Sequence, residues 1–119
     1  MQADGAIGHI TLARPEKLNA LSRATLEELA VAAAWFDEQP AVKVVVVGGE
    51  GRAFSAGFDL GDRTWQQIGP PERSTAVGRA MAEAIGGMQA ITIASIRGHC
   101  IGGGVVLAAA CDLSVASMT

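Results

Sequence analysis

Two stretches of the chain carry the residue types from which a backbone-built reaction site can be made. The first runs Val44-Val45-Val46-Val47-Gly48-Gly49-Glu50-Gly51-Arg52-Ala53-Phe54-Ser55-Ala56-Gly57-Phe58-Asp59-Leu60. The second runs from Ile91 to Ile96 and on through Arg97-Gly98-His99-Cys100-Ile101-Gly102-Gly103-Gly104-Val105-Val106-Leu107. Each opens as a β-rich apolar run and breaks into glycines, the pattern of a strand that ends in a turn. Two such transitions can bring two main-chain N–H groups to one point. A pair of that kind stabilises an oxygen that gains negative charge, and it needs no side chain. The Gly102-Gly103-Gly104 triplet adds a second element, because a helix-forming run follows it. The first N–H groups of a helix are unpaired and electropositive, and glycine lets a ligand approach the backbone closely. The same triplet also suits a tight turn with close helix–sheet packing, so both readings stand at this point.

The other polar candidates read as structural. Gly48-Gly49-Glu50-Gly51 lacks the third glycine of a dinucleotide fingerprint, and a clean helix start does not follow it. No Gly-Lys-Ser/Thr occurs, which excludes a P-loop. Ser55 resembles a nucleophile elbow, but Ala53 stands where the elbow needs glycine, so Ser55 reads as a loop serine. His99, between Gly98 and Cys100, reads as a loop histidine that satisfies backbone groups rather than as a base. Asp112 reads as a carboxylate capping nearby N–H groups. Cys100 and Cys111 lack metal-site spacing with His9 and His99, and read as two free thiols in a reducing cytoplasm.

The elements that must hold these loops alternate along the chain. Ile7, Ile10 and Leu12 predict a strand that Pro15 closes. Ser22 is the expected N-cap of a helix whose apolar stripe is Leu26, Leu29, Ala30, Ala33 and Phe36; Thr25 and Glu28 offer a start one turn later. Pro40 ends it, and Ala41 to Val47 predicts a strand buried on both faces. Strand, helix, strand in that order is a βαβ unit. The stretch from Gly61 to Thr75, with Gly69 and Pro70-Pro71, predicts a mobile surface loop. Val77, Met81, Ala84, Ile85 and Met88 predict a second amphipathic helix. Ile91 to Ile96 predicts a strand, Val105 to Cys111 a helix, and Leu113 to Ala116 a further strand.

The bulk numbers narrow the class. A chain of 119 residues fits one domain. Hydrophobic residues make up 50% and there are 15 glycines, more apolar than an average domain. Much of the excess is alanine, so either the core is tight or some apolar surface awaits a partner or further chain. The net charge of −3 and the absence of a basic cluster leave no electrostatic footprint for nucleic acid. No apolar run approaches a membrane span. Met1-Gln2-Ala3-Asp4-Gly5 has neither a basic nor an apolar region, so no signal peptide is expected and the cytoplasm is the expected location.

Three motifs together carry a resemblance: Pro15-Glu16-Lys17-Leu18-Asn19-Ala20-Leu21-Ser22, then Gly51 to Leu60, then Gly98 to Asp112. In this order and at these separations they resemble the crotonase (enoyl-CoA hydratase/isomerase) superfamily over nearly the whole chain. The resemblance implies an α/β fold, the crotonase-like core of repeated ββα units, here truncated after the glycine-triplet helix and the following strand. Residues 1–119 would then form a single domain corresponding to the N-terminal half of the family's. It implies an acyl-CoA thioester as ligand, with coenzyme A as part of the substrate and no permanently bound cofactor or metal. It implies a homo-oligomer, a trimer or dimer of trimers, where the full domain is present.

Carried over residue by residue, the resemblance makes the N–H groups of Phe58 and Gly103 an oxyanion hole for the thioester oxygen. Leu18, Ala20, Ser55, Ala56, Phe58, Asp59, Leu60 and Gly103 would line the coenzyme A path. The implied activity is that of an enoyl-CoA hydratase or isomerase of fatty acid metabolism. Two departures bear on this. Hydratases of the family carry a glutamate where this chain has Val106, and a second carboxylate would fall beyond Thr119. A base would then come from beyond Thr119 or from the loop holding Asp59 and Asp62. The alternative is a non-catalytic thioester binder or oligomer partner. A nucleotide-binding domain would require the Gly48–Gly51 loop to open a helix.

Overall fold

A computed structural model of the chain describes residues 2–69 and 71–117. Its elements are β1 (Gln2–Asp4), β2 (Ile7–Leu12), a 3-10 turn (Pro15–Lys17), α1 (Arg23–Asp37), β3 (Val44–Gly49), β4 (Ala53–Ser55), α2 (Trp65–Ile68), α3 (Pro71–Gly86), β5 (Ile91–Ile96), β6 (His99–Cys100), α4 (Gly103–Ala110) and β7 (Leu113–Ala116). Five strands form one sheet in the order β1-β2-β3-β5-β7, and β4 pairs with β6 in a second, two-stranded sheet. Only the β1–β2 hairpin is antiparallel; β2, β3, β5 and β7 run parallel to one another. Twice the chain therefore places one strand in the main sheet, the next in the small sheet, and returns through a helix. That alternation is a ββα repeat, and it sends each chemistry-bearing loop to the small sheet.

The core lies on one face of the main sheet. Register aligns Gly8, Val45 and Thr92, and beside them Ile10, Val47 and Ala94, all buried. Helix α1 covers this face with Leu26, Leu29, Ala32, Ala33 and Phe36, and α3 adds Met81 and Ile85. Phe36 packs directly on Gly8, where a Cβ would overlap the ring. Each large side chain buried in this way contributes about 1.5–3 kcal/mol.

The expected elements are present, joined by an unpredicted strand β1, and differ in four further respects. First, α1 begins at Arg23 with Ser22 as its cap, because the Thr25 N–H donates to Ser22 Oγ at 3.1 Å. The later start at Thr25 is not used. Second, the third strand is shifted from Ala41–Val47 to Val44–Gly49. Val42 is held in a turn by its N–H bond to Gln39, while Gly48 and Gly49 continue the ladder against Thr11 and Leu12. It is also not buried on both faces: Val45 and Val47 are buried, and Val44 and Val46 are half-buried.

Third, the expected Gly61–Thr75 loop holds the short α2, and α3 already starts at Pro71. Proline fits the first turn of a helix, whose N–H has no partner there. The exposed Glu72, Arg73, Thr75 and Ala76 give that first stretch no apolar stripe to read. Pro70 lies outside the described residues, as does the chain end at Thr119. Fourth, β4 and β6 turn residues read as loop into a second sheet, and α4 begins at Gly103 rather than Val105.

Candidate functional site

Residues 14–21 form the scaffold on which the first glycine loop rests. The chain leaves β2, makes its 3-10 turn, and passes through Leu18 and Asn19 with φ of 52° and 55°. Two successive left-handed non-glycine residues cost energy, and the contacts of Asn19 offset it. Its buried amide Nδ2 donates to Glu50 O at 2.9 Å and to Ala53 O at 2.8 Å, and its Oδ1 accepts the Arg14 N–H at 2.9 Å. The segment reaches β4 by main-chain bonds as well, because the Ala56 N–H donates to Leu18 O at 2.9 Å.

Ser55 completes this link. It is the last residue of β4, with no exposed surface; its hydroxyl donates to Asn19 O at 2.9 Å and accepts the Gly57 N–H at 3.1 Å. A loop serine was expected here. The observed residue is a buried strand serine that orients the turn after it, with no room to act as a nucleophile.

The turn at Gly57 has φ of 100°, a conformation that glycine adopts without strain. Leu21 then clamps the next residues: its N–H donates to Gly57 O at 2.7 Å, and its O accepts the Asp59 N–H at 2.9 Å. Phe58 thus faces Leu21 in a single parallel bridge. In that geometry its own N–H points away from Leu21, to the opposite side. Gly57 packs against the start of α4, where a Cβ on it would lie 2.9 Å from Ile101 O and 3.3 Å from Gly103 N.

At the start of α4, the Gly104 N–H donates to Ile101 O at 2.9 Å and the Val105 N–H to Gly102 O at 3.0 Å. Gly103, the first helical residue, makes no such bond. Neither its N–H nor that of Phe58 has a hydrogen-bond partner among the described residues. The two sequence stretches do converge, and at their meeting two donors stand unpaired, one of them at a helix N-terminus.

The carboxylates of this loop are occupied. Asp59 is ion-paired with Arg14 at 3.2 Å, and its other oxygen accepts the Gly61 N–H at 3.0 Å. Arg14 also donates to Ala20 O at 3.0 Å, so it ties residue 20 to residue 59. Asp62 accepts the Arg23 N–H at 2.8 Å, the Thr64 N–H at 2.9 Å and the Thr64 hydroxyl at 2.7 Å. The Thr64 hydroxyl first, then the Arg23 and Thr64 N–H groups, hold its pKa below the ordinary carboxylate value. Both acids are weak candidates for a base. Val106, one turn past Gly103, presents a hydrocarbon that is 41% exposed.

The remaining candidates separate. Leu18 and Ala20 are half-buried in the scaffold, Ala56 sits between Ser55 and Gly57, and Leu60 projects into solvent at 96% exposure. His99 is an exposed residue of β6. Asp112 accepts the Thr92 N–H at 2.9 Å, and its own N–H donates to the Thr92 hydroxyl at 3.0 Å, the capping role expected of it. Burial pushes the thiols of Cys100 and Cys111 up from their ordinary pKa. The chain after β3 turns into β4, so the Gly48–Gly51 loop opens no helix.

Among the described residues no group of three or more His, Cys, Asp or Glu could hold a metal, and no helix is long and apolar enough to cross a membrane. A groove of about 810 Å³ between β2 and α1 is lined by Ala20, but by neither Phe58 nor Gly103. Asn19 lies within the motif expected to border the coenzyme A path, but its linking role was not anticipated, and nor was Arg14 as a site residue. Their one sequence signal was two polar side chains in a short run bounded by strand and helix.

The chain was compared with known proteins. It is 41% identical over 111 residues to a mevalonyl-coenzyme A hydratase of Aspergillus fumigatus, covering 91% of this chain and 40% of that protein. It is 32% identical over 119 residues to a probable enoyl-CoA hydratase of Mycobacterium bovis, covering 100% of this chain and 46% of the relative. The chain thus spans less than half the length of these curated relatives. Among solved structures, an enoyl-CoA hydratase from Mycobacterium avium subsp. paratuberculosis superposes with a TM-score of 0.83 at 30% identity, covering 97% of this chain and 45% of that one. An enoyl-CoA hydratase/carnithine racemase from Magnetospirillum magneticum superposes with a TM-score of 0.85 at 31% identity, covering 96% and 44%. The expected crotonase-like α/β core is therefore the fold observed. With the family model for enoyl-CoA hydratase/isomerase matching residues 2–119, the chain belongs to the enoyl-CoA hydratase/isomerase family.

Proposed function

We propose that this chain binds an acyl-CoA thioester and polarises its carbonyl with the N–H groups of Phe58 and Gly103. The observation that carries the reading is the pair of unpaired donors where the Gly57 turn packs against the first residue of α4. A thioester oxygen between them accepts two hydrogen bonds, which strengthen as an enolate forms and charge moves onto it. The dipole of α4 adds to the effect at Gly103. Leu18, Ala20 and the Ser55–Leu60 loop then border the coenzyme A path, largely through backbone groups. The reaction class is that of an enoyl-CoA hydratase or isomerase, with coenzyme A entering as part of the substrate.

Proton transfer is the weaker half of the site. Hydration needs a carboxylate to activate water and a second group to manage the α-proton, each typically worth about 10²–10⁴ in rate. Val106 supplies neither, and Asp59 and Asp62 are held in other bonds. That observation favours a second reading, a thioester binder without turnover.

The carbonyl stretch of bound crotonyl-CoA, read by difference infrared spectroscopy, tests the donors directly. It should move to lower frequency on binding. Gly103→Pro deletes one N–H at a helix position that tolerates proline, and should abolish most of the shift. Gly103→Ala adds a Cβ 3.0 Å from the Phe58 ring, which must give way, but keeps the donor, and should retain clearly more of the shift than Gly103→Pro. Equal shifts in the two variants, or none in the wild-type chain, would refute the reading. Hydration of crotonyl-CoA by the same sample favours the enzyme, and a shift without hydration favours the binder.

A further inference from the structure

Residue 58 carries a side chain as well as a donor, and the surroundings of its ring are unusual. A Cβ on Gly103 would lie 3.0 Å from the ring Cζ and 3.1 Å from both Cδ1 and Cδ2. Those three carbons are alternate corners of the ring, so near-equal distances mean that the ring lies face-on over Gly103. On another side, a Cβ on Gly78 of α3 would lie 3.6 Å from Cζ and 3.8 Å from Cε1. Gly78 is buried in a helix interior, where glycine costs about 0.5–1 kcal/mol relative to alanine. The ring is wedged between α3 and α4 at two positions that lack side chains, yet it remains 42% exposed.

The consequence concerns what can reach the donors. The ring therefore borders the backbone that carries the Gly103 N–H. Beyond it, along α4, the exposed side chains are Val105 and Val106, at 51% and 41%. An acyl group whose carbonyl sits at the two N–H groups meets an aromatic wall on one side and hydrocarbon on the other, and only its length and bulk can be sensed there. We infer that the Phe58 ring, seated face-on over Gly103 and against Gly78, limits the size of the acyl group that the site accepts. This rests on the thioester reading above. One methylene too many in an apolar pocket changes discrimination by about 10–200-fold, so a wall of this size should separate short acyl chains from long ones.

The test is calorimetric titration of the 119-residue chain with free coenzyme A, butyryl-CoA and octanoyl-CoA, none of which is consumed by hydration. Wild-type chain should bind butyryl-CoA at least tenfold more tightly than octanoyl-CoA. Phe58→Ala should shift that ratio by tenfold or more toward octanoyl-CoA, and Phe58→Leu should fall between. A wild-type preference for octanoyl-CoA, or a ratio unchanged within twofold in both variants, overturns the inference and leaves the thioester reading intact. Failure of both thioesters to bind better than free coenzyme A overturns that reading and the inference with it. Thermal melting establishes that each variant is folded; should Phe58→Ala unfold, the Phe58→Leu ratio decides.

Discussion

At the scale of single residues, the site depends on which atoms are missing as much as on which are present. Gly104 illustrates the severe case. A Cβ there would lie 2.6 Å from Ser55 O and 3.0 Å from Ser55 Cβ, both belonging to a strand that cannot retreat. Gly78 illustrates the mild one, because its nearest neighbour is the half-exposed Phe58 ring at ordinary contact distance. The two glycines should respond to alanine with opposite signs. Gly104→Ala should lower the unfolding free energy by about 3 kcal/mol through backbone displacement. Gly78→Ala should raise it by about 0.5–1 kcal/mol, by restricting the unfolded chain and improving the helix. Urea denaturation of both variants checks the pair, and destabilisation by Gly78→Ala would contradict the packing described for the ring. From sequence, these glycines look alike; only the identity of the neighbouring atom distinguishes them.

At the scale of elements, the loop after β4 and the start of α1 stabilise each other. Asp62 reaches across to the first N–H of α1 at Arg23, while Ser22 caps Thr25. A carboxylate at a helix N-terminus also interacts favourably with the helix dipole. Because the folded-state pKa of Asp62 is held below its unfolded value, its contribution is complete above the unfolded value and is lost as pH falls through the folded one. Asp62→Asn should therefore reduce stability near pH 7 and flatten the decline between about pH 5 and pH 2. Urea midpoints for both proteins across that range decide the point, and parallel curves would remove Asp62 from the account. The Ser22 cap was legible because serine followed by an apolar stripe at helical spacing is a local signal. The Asp62 cap was not, since it joins residues 39 positions apart.

At the scale of the whole molecule, one sheet face is built and the other is open. The open face aligns Ile7, Val44 and Ile91, then His9, Val46, Ile93 and Leu113, with Val115 beyond. Ile7, Ile91, Leu113 and Val115 are 47%, 51%, 59% and 64% exposed. The apolar excess in the composition has both explanations considered for it: buried alanines such as Ala32, Ala33 and Ala94, and uncovered apolar surface. Contiguous patches of this kind bind hydrophobic dyes and promote association. Replacing Leu113 and Val115 together with threonine should lower 8-anilinonaphthalenesulfonate fluorescence severalfold. The melting temperature should move by no more than a few degrees, because exposed substitutions cost little. A large loss of stability would mean that these side chains are packed after all.

What the sequence by itself determined was local and periodic. The two strand-to-glycine transitions, the amphipathic faces of α1 and α3 and the Ser22 cap are written in short windows, where spacing and residue type fix the backbone. The three motifs were enough to indicate the family and to single out Phe58 and Gly103 as candidates. Tertiary structure decided what those windows do to one another. It turned Ser55 into a buried link between Asn19 and Gly57 and paired Asp59 with Arg14. It seated the Phe58 ring on Gly103, and it left the N–H groups of both residues without partners among the described residues. Each of these is a contact between residues distant in sequence. Such contacts depend on the relative placement of sheets and helices, and no local pattern of residue types encodes that placement.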